Sequence, residues 1–296
     1  MNNFLSFLQS HNFIVLDGAM GTELQNRGYR TELPLWSAKA NLDAKDLVYQ
    51  IHYDYIQAGA DIITTNTFRT QKHTFQKINN PNLAEQATIN AVQIAIKAKK
   101  RAFRDVFVGG SLTTLEDCYQ PNLVPNEAIL REDHKRQTQL LAELGVDFLF
   151  CEAINTIREA KILAEFAQNT PIPFFMSFVI NDDGNLLNGE SLFDAIEIIN
   201  KFKPTAILVN CRPIDILQKT VDTLINSFSG VKGIYPNGQG KPANDLGWDF
   251  HQQGDDIKKF TAHCRIWAKK GIKILGGCCG TNVEYIQALR SMLDQL

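Results

Sequence analysis

Two kinds of hydrophobic stretch alternate along this chain. Short, nearly unbroken apolar runs fall at 13–20, 61–68, 106–112, 148–153, 173–180, 206–211, 232–237 and 273–279. Unbroken runs of this length suit parallel strands buried on both faces. Between them lie longer stretches with helical spacing. In 43–59, Leu47, Ile51 and Tyr55 recur every four residues, and Gly59 ends the pattern. In 82–102, Asn82 is placed to cap the helix, Glu85 follows three residues later, and Val92 and Ile96 mark the apolar stripe. Further helices are predicted over 126–144, 155–168, 191–202, 214–228, 254–270 and 282–295. Eight run-and-helix pairs with no leftover domain predict a single (β/α)8 TIM barrel spanning residues 1–296. An open doubly wound sheet is the alternative. It is weakened because no Gly-x-Gly-x-x-Gly follows the first run.

Composition narrows the function classes. An apolar fraction of 44% supports a large core, and 30 basic against 32 acidic residues leave a net charge of −2. The charges are intermixed, so neither a nucleic-acid surface nor an acidic tail is expected. No apolar stretch reaches the ~18 residues of a membrane span, so no membrane partner is expected. The start, Met1-Asn2-Asn3-Phe4-Leu5, lacks a basic leader and does not read as a signal peptide. Six cysteines are ordinary usage. A reducing cytoplasm is the expected compartment, and clustered thiols there favour a metal or catalysis over disulfides.

Barrel enzymes carry their chemistry at the C-terminal strand ends. Read in order, those positions are Asp17-Gly18, Asn66-Thr67, Gly110-Ser111, Glu152, Ser177, Asn210-Cys211, Asn237 and Cys278-Cys279. In one parallel barrel, Cys211 would meet Cys278 and Cys279 on a single face. Three thiolates at one point suit a zinc ion with an open fourth position. A lone buried cysteine is more often core packing. Neighbours on a straight strand also face opposite ways, so Cys278 and Cys279 can share a metal only if the strand ends there, which Gly280 allows. Asp17 reads either as a cap or as a ligand-binding carboxylate. Glu152 reads either as a rim salt bridge or as a ligand-binding carboxylate, since a buried charge needs a partner. Asn66 and Asn237 commonly satisfy loop backbone. No histidine ends a strand, which argues against a histidine-ligated hydrolase. Cys118, Cys151 and Cys264 read as bystanders, Cys118 as a surface thiol. The stretch 236–255, with Trp248, reads as a binding loop, a lid or a passive insertion.

These motifs resemble the homocysteine S-methyltransferases, a zinc-dependent family of (β/α)8 barrels. The resemblance runs over nearly the whole chain. It is carried by Leu16-Asp17-Gly18-Ala19-Met20-Gly21-Thr22, Ala60-Asp61-Ile62-Ile63-Thr64-Thr65-Asn66-Thr67-Phe68, Asn210-Cys211, Tyr235-Pro236-Asn237 and Gly276-Gly277-Cys278-Cys279-Gly280-Thr281. The resemblance implies that Cys211, Cys278 and Cys279 bind zinc. It also implies that Asp17 and Gly18 form the turn holding the amino acid, and that Glu152 receives the substrate ammonium. Many relatives follow that glutamate with threonine or tyrosine. This chain has Ala153, so a tyrosine ligand from that position is ruled out. Gly238-Gln239-Gly240 also departs from the usual Ser-Gly-Glu or Ala-Gly, on the donor side.

The implied reaction moves a methyl group from a small donor to homocysteine, giving methionine. A cationic sulfonium donor, S-methylmethionine or S-adenosylmethionine, is expected, and Arg212 beside Cys211 is a candidate for the donor carboxylate. Two other readings stay open. One is a zinc or thiol redox sensor without turnover. The other is the homocysteine-binding subunit of a corrinoid-dependent system.

Overall fold

The computed structural model describes residues 3–243, 247–250 and 254–296. Its centre is an eight-stranded parallel sheet. The strands are β1 (Ile14–Val15), β2 (Ile62–Thr64), β3 (Phe107–Leu112), β4 (Phe148–Ile154), β5 (Phe174–Val179), β6 (Ala206–Asn210), β7 (Val231–Tyr235) and, last in the chain, β10 (Ile274–Leu275). Their spatial order is β1-β10-β7-β6-β5-β4-β3-β2. A parallel bridge between Leu16 and Ile62 joins the first and last members of that order. The Asp17 N–H donates to the Ile62 carbonyl at 2.9 Å across the same seam. The predicted (β/α)8 barrel is therefore the fold.

Alternation along the strands sorts side chains into two cores. Phe148 and Phe150 point into the barrel with Ile14, Leu16, Ile62, Phe107, Phe175 and Leu208. Leu149 and Cys151 point outward into the layer between strands and helices. Glu152 continues the inward series one step above Phe150, so strand geometry alone aims it into the barrel mouth. Cys151 faces away from it, as alternation requires.

All eight expected helices form, each with slightly tighter ends. The pattern at 43–59 is realised as Lys45–Gln57, and Gly59 takes the left-handed φ of 104° that stops it. The pattern at 214–228 divides into Ile214–Leu217, a 3-10 turn over Gln218–Thr220, and Val221–Ser227. The expected cap at Asn82 does not form. That residue is helical (φ −69°, ψ −21°) and its side chain makes no capping bond to Leu83–Lys99. Asn126 and Asn282 do cap, accepting from the N–H of Ile129 and from those of Glu284 and Tyr285.

Three apolar runs overstate their strands. Runs 13–20, 61–68 and 273–279 contain only two or three strand residues each. In each case the chain leaves the sheet early and turns across the barrel mouth, where Ala19, Met20, Phe68, Cys278 and Cys279 stay half-buried and face the space above the strands. Four further helices form outside the expected set: Asn3–Ser10, Met20–Asn26, Ala40–Asp43 and Lys72–Gln76. The first plugs the bottom of the barrel. Phe4 stacks on Phe148 with centroids 4.5 Å apart and packs on Phe107 and Phe175. Stretch 236–255 contains an antiparallel pair, β8 (Lys241–Ala243) and β9 (Gly247–Asp249); its residues 244–246 and 251–253 lie outside the described set. Among the described residues no helix is long and apolar enough to cross a membrane.

Candidate metal centre and amino-acid pocket

Cys211 follows β6 directly, and Cys278 and Cys279 follow β10 across two glycines. Their three Sγ atoms lie within 4.8 Å of one another. The Cys211 and Cys279 sulfurs are 3.8 Å apart, and all six cysteines are free thiols. The backbone makes this possible in two places. Cys211 has φ 59°, which swings its side chain off the strand direction. Gly280 has φ 79°, and a Cβ there would lie 2.1 Å from the Gln239 carbonyl oxygen. Only glycine allows the chain to turn immediately after the cysteine pair. The turn is then tied down: the Cys278 N–H donates to the Pro236 carbonyl at 2.7 Å, and the Gly238 N–H donates to the Cys279 carbonyl at 2.8 Å.

Hydrogen bonds from Cys278, Cys279 and Tyr119 hold the Cys211 thiol well below its ordinary range, against the opposing effect of burial. Burial and the neighbouring sulfurs push Cys278 well above it. The cluster therefore favours one thiolate flanked by thiols, and a cation at its centre would favour three. A tetrahedral zinc with Zn–S bonds of about 2.3 Å places its sulfurs about 3.8 Å apart. The Cys211–Cys279 spacing fits that edge, and soft sulfur donors suit zinc.

Two carboxylates, Asp17 buried and Glu152 half-buried, lie in the same mouth. Asp17, 5% exposed, accepts from the Thr64 N–H at 2.8 Å and from its hydroxyl at 3.1 Å. Burial still raises its pKa well above the ordinary range. Glu152 accepts a short hydrogen bond from the Ser111 hydroxyl and another from Tyr235 at 3.3 Å. Burial pushes its pKa up to about 7. Neither has a cationic partner among the described residues. An incoming ammonium would relieve the cost of keeping both ionised.

A cavity of about 690 Å³ connects these groups, lined by Asp17, Gly18, Asn66, Glu152 and all three cysteines. Asn66 is held from below: its side chain donates to the Ser37 carbonyl and to Asn41 Oδ1, both at 2.9 Å. Ser177 and Asn237 do not line the cavity. The Ser177 hydroxyl donates to Asn210 Oδ1 at 2.8 Å, and Asn210 also accepts from the Ala153 N–H. The Asn237 N–H donates to the Arg212 carbonyl at 3.0 Å. Arg212 is turned away to a short ion pair with Asp182 and does not line the cavity either.

Several cavity residues lie outside the strand-end positions and were missed for that reason. Tyr119, on the loop after β3, reaches Cys211: its hydroxyl is 3.2 Å from Sγ and donates to the carbonyl at 2.9 Å. Cys118 is a buried cavity residue and not a surface thiol. Arg69 and Trp36 complete the wall, together with Trp248, which the sequence had already singled out within 236–255. Trp36 has a left-handed φ of 52°, rare for a bulky residue, and its indole fills the space a Cβ on Gly21 would need. The nearest available signal was loop length between motifs, which does not say where a loop folds back.

A parallel eight-stranded barrel with thiols, carboxylates and one large cavity at the same strand ends has the build of a barrel enzyme. The chain belongs to the homocysteine S-methyltransferase family, a class of methyl-transferring enzymes, whose profile matches residues 14–293. Homocysteine S-methyltransferase YbgG of Bacillus subtilis is 28% identical over 100% of this chain and 99% of its own length. Homocysteine S-methyltransferase 3 of Zea mays is 30% identical over 95% of this chain and 90% of its own. Selenocysteine Se-methyltransferase of Brassica oleracea is 28% identical over 95% and 89%. The crystal structure of the metallated homocysteine methyltransferase MmuM from Escherichia coli has the same fold. Its TM-score is 0.84, with 23% identity over 98% of this chain and 99% of that one.

Proposed function

We propose that this chain, as one domain over residues 1–296, is a zinc-dependent homocysteine S-methyltransferase that uses a sulfonium donor. The donor would be S-methylmethionine or S-adenosylmethionine, and the product methionine. The observation that carries this reading is the meeting of three cysteine sulfurs with two cation-free carboxylates in one cavity. The first set suits a thiol-binding metal, and the second suits the ammonium of an amino acid. A sensor needs only the sulfurs, so the carboxylates favour an enzyme.

Cys211, Cys278 and Cys279 would hold the zinc, leaving one coordination position for substrate. Zinc bound there would lower the pKa of the substrate thiol and keep its sulfur nucleophilic. Glu152 and Asp17 would fix the homocysteine ammonium, with Gly18 in the turn that receives the amino acid. Ser111 and Tyr235 hold Glu152 in place for that role. Asn66, Ser177 and Asn237 would position the surrounding backbone. The homocysteine proton is lost to solvent. The thiolate then attacks the donor methyl carbon in line, forming a new S–C bond. The old C–S bond breaks, and its electron pair stays on the donor sulfur, which leaves as a neutral thioether. Holding the two reactants in line contributes several kcal/mol to the rate.

The charge of the cavity favours a cationic donor. Thiolates and two carboxylates line it, so transfer from a sulfonium neutralises charge where the field is negative. Free thiols suit a reducing cytoplasm. The test is a panel of S-methylmethionine, S-adenosylmethionine, betaine and methyltetrahydrofolate at equal concentration, with zinc-loaded protein and homocysteine. Methionine should form from a sulfonium. Formation from betaine alone would remove the sulfonium assignment, and formation from methyltetrahydrofolate alone would also remove the charge argument.

A further inference from the structure

Arg69 lies just past the end of β2, in the wall of the cavity, with its side chain 11% exposed. Among the described residues its guanidinium makes no hydrogen bond. Its one ion-pair contact, Nη2 to Asp117 Oδ1, is 4.0 Å long. A guanidinium offers five N–H donors in a planar fork that matches a carboxylate. The other partly buried arginines are used: Arg104 and Arg290 both hold Asp61 and nearby carbonyls, Arg27 holds Glu23 and Asp54, and Arg212 holds Asp182. Arg69 alone keeps its fork free at a cavity wall.

Asp117 supplies the opposite charge on the neighbouring loop. Its carboxylate accepts from the Tyr119 N–H at 3.0 Å and from Gln120 Nε2 at 3.3 Å. A carboxylate has about four acceptor sites, so capacity remains for an ammonium. The loose pair thus presents one cationic and one anionic group to the same space, which is what an α-amino acid head requires.

The cavity has a use for a second such head. Asp17 and Glu152 account for the ammonium of the thiol substrate, and neither contacts Arg69. The volume of about 690 Å³ exceeds what one small amino acid fills. Trp36, Phe68, Tyr119 and Trp248 line the same space. Aromatic faces attract a cation, and a sulfonium between the two charged ends would meet them.

We propose that Arg69 and Asp117 form the head-group site of the methyl donor and select sulfonium donors that carry a free α-carboxylate and α-ammonium. This rests on the sulfonium-donor reading above. Arg69 takes the carboxylate through its fork, and Asp117 takes the ammonium. The site is a specificity determinant, remote from the reacting sulfur.

Binding and turnover test it separately. Calorimetry on the full chain without homocysteine, where no transfer occurs, compares S-methylmethionine with its decarboxylated analogue, (3-aminopropyl)dimethylsulfonium. Wild type should bind S-methylmethionine at least about tenfold more tightly, the usual effect of a charge-assisted hydrogen bond. Arg69→Met should bind both alike, and Arg69→Lys should recover part of the difference. In turnover, Arg69→Met should raise the donor KM at least about tenfold and leave the homocysteine KM and metal content unchanged. Equal binding of the two sulfoniums by wild type, or a rise in homocysteine KM with an unchanged donor KM, would overturn the proposal. If S-methylmethionine binds through Arg69 but never yields methionine, the donor reading fails and the head-group site stands.

Discussion

The hydroxyl of Tyr119 lies 3.2 Å from the sulfur of Cys211, although 92 residues separate them in sequence. It is the one phenol hydrogen-bonded to the sulfur cluster among the described residues, and its loop is fixed from behind. The Leu115 N–H donates to buried Glu159 at 3.0 Å, and Asn155 Nδ2 donates to the Cys118 carbonyl at 2.9 Å. A donor to a metal-bound thiolate orients the ligand and tunes it. Tyr119→Phe should therefore keep one zinc per chain but bind it about tenfold more weakly. Competition with a colorimetric chelator reads this directly. Unchanged zinc affinity would reduce Tyr119 to a packing residue.

The sulfurs themselves should be indispensable. Cys211→Ala, Cys278→Ala and Cys279→Ala each leave two ligands where three converge. Each variant should purify with less than about a tenth of the wild-type zinc and lose turnover with it, because three-ligand sites tolerate no loss. Metal analysis of the folded variants checks this, and full zinc in any one of them removes that cysteine from the centre.

Glu152→Ala should separate substrate binding from metal binding. Its carboxylate has no cation of its own and sits at the end of the inward-facing series Phe148, Phe150. Losing a charge-assisted hydrogen bond costs about 1.5–3 kcal/mol, so homocysteine should bind at least about tenfold more weakly. Zinc content should not change. Homocysteine titration of the zinc-loaded variant gives the answer, and an unaltered affinity returns Glu152 to a structural role.

His52 predicts the acid side of the stability curve. It is fully buried, neither ring nitrogen has a hydrogen-bond partner, and burial lowers its pKa to about 3. The unfolded chain takes up this proton near pH 6.5, while the folded chain stays neutral until about pH 3. The unfolded state therefore binds more protons across that window, and stability falls as pH drops through it. The contribution lost between pH 7 and pH 4.5 is on the order of 2 kcal/mol. Urea midpoints at both pH values should show a smaller drop for His52→Leu than for wild type. Equal drops would mean that the ring is protonated in the folded state.

Much of this protein is written locally in its chain. Each strand is marked by an unbroken apolar run and each helix by its hydrophobic period, and all eight pairs appear in the expected order, three of the strands shorter than their runs. Local rules also place Glu152 inward and Cys151 outward, since alternation needs only one strand. The sulfur cluster was legible because a parallel barrel brings every C-terminal strand end to one face, so Cys211 could be matched with Cys278 and Cys279 without coordinates. The left-handed backbone at Cys211 that completes the convergence has no sequence signature, unlike Gly280.

Tertiary structure alone decided the rest. Runs 13–20, 61–68 and 273–279 look like full strands because apolar residues that line the cavity above the barrel cannot be told by sequence from those in a sheet. The Phe4 plug is one short helix whose partners are spread over three strands. Arg69 and Arg212 are indistinguishable by type and by nearness to a motif, yet Asp182 holds Arg212 away from the cavity and Arg69 faces it with its fork free. Tyr119 likewise acts on a residue almost a hundred positions away. Hydrophobic period is a property of neighbours along the chain, whereas the pairing of charges and hydroxyls depends on where loops return in space.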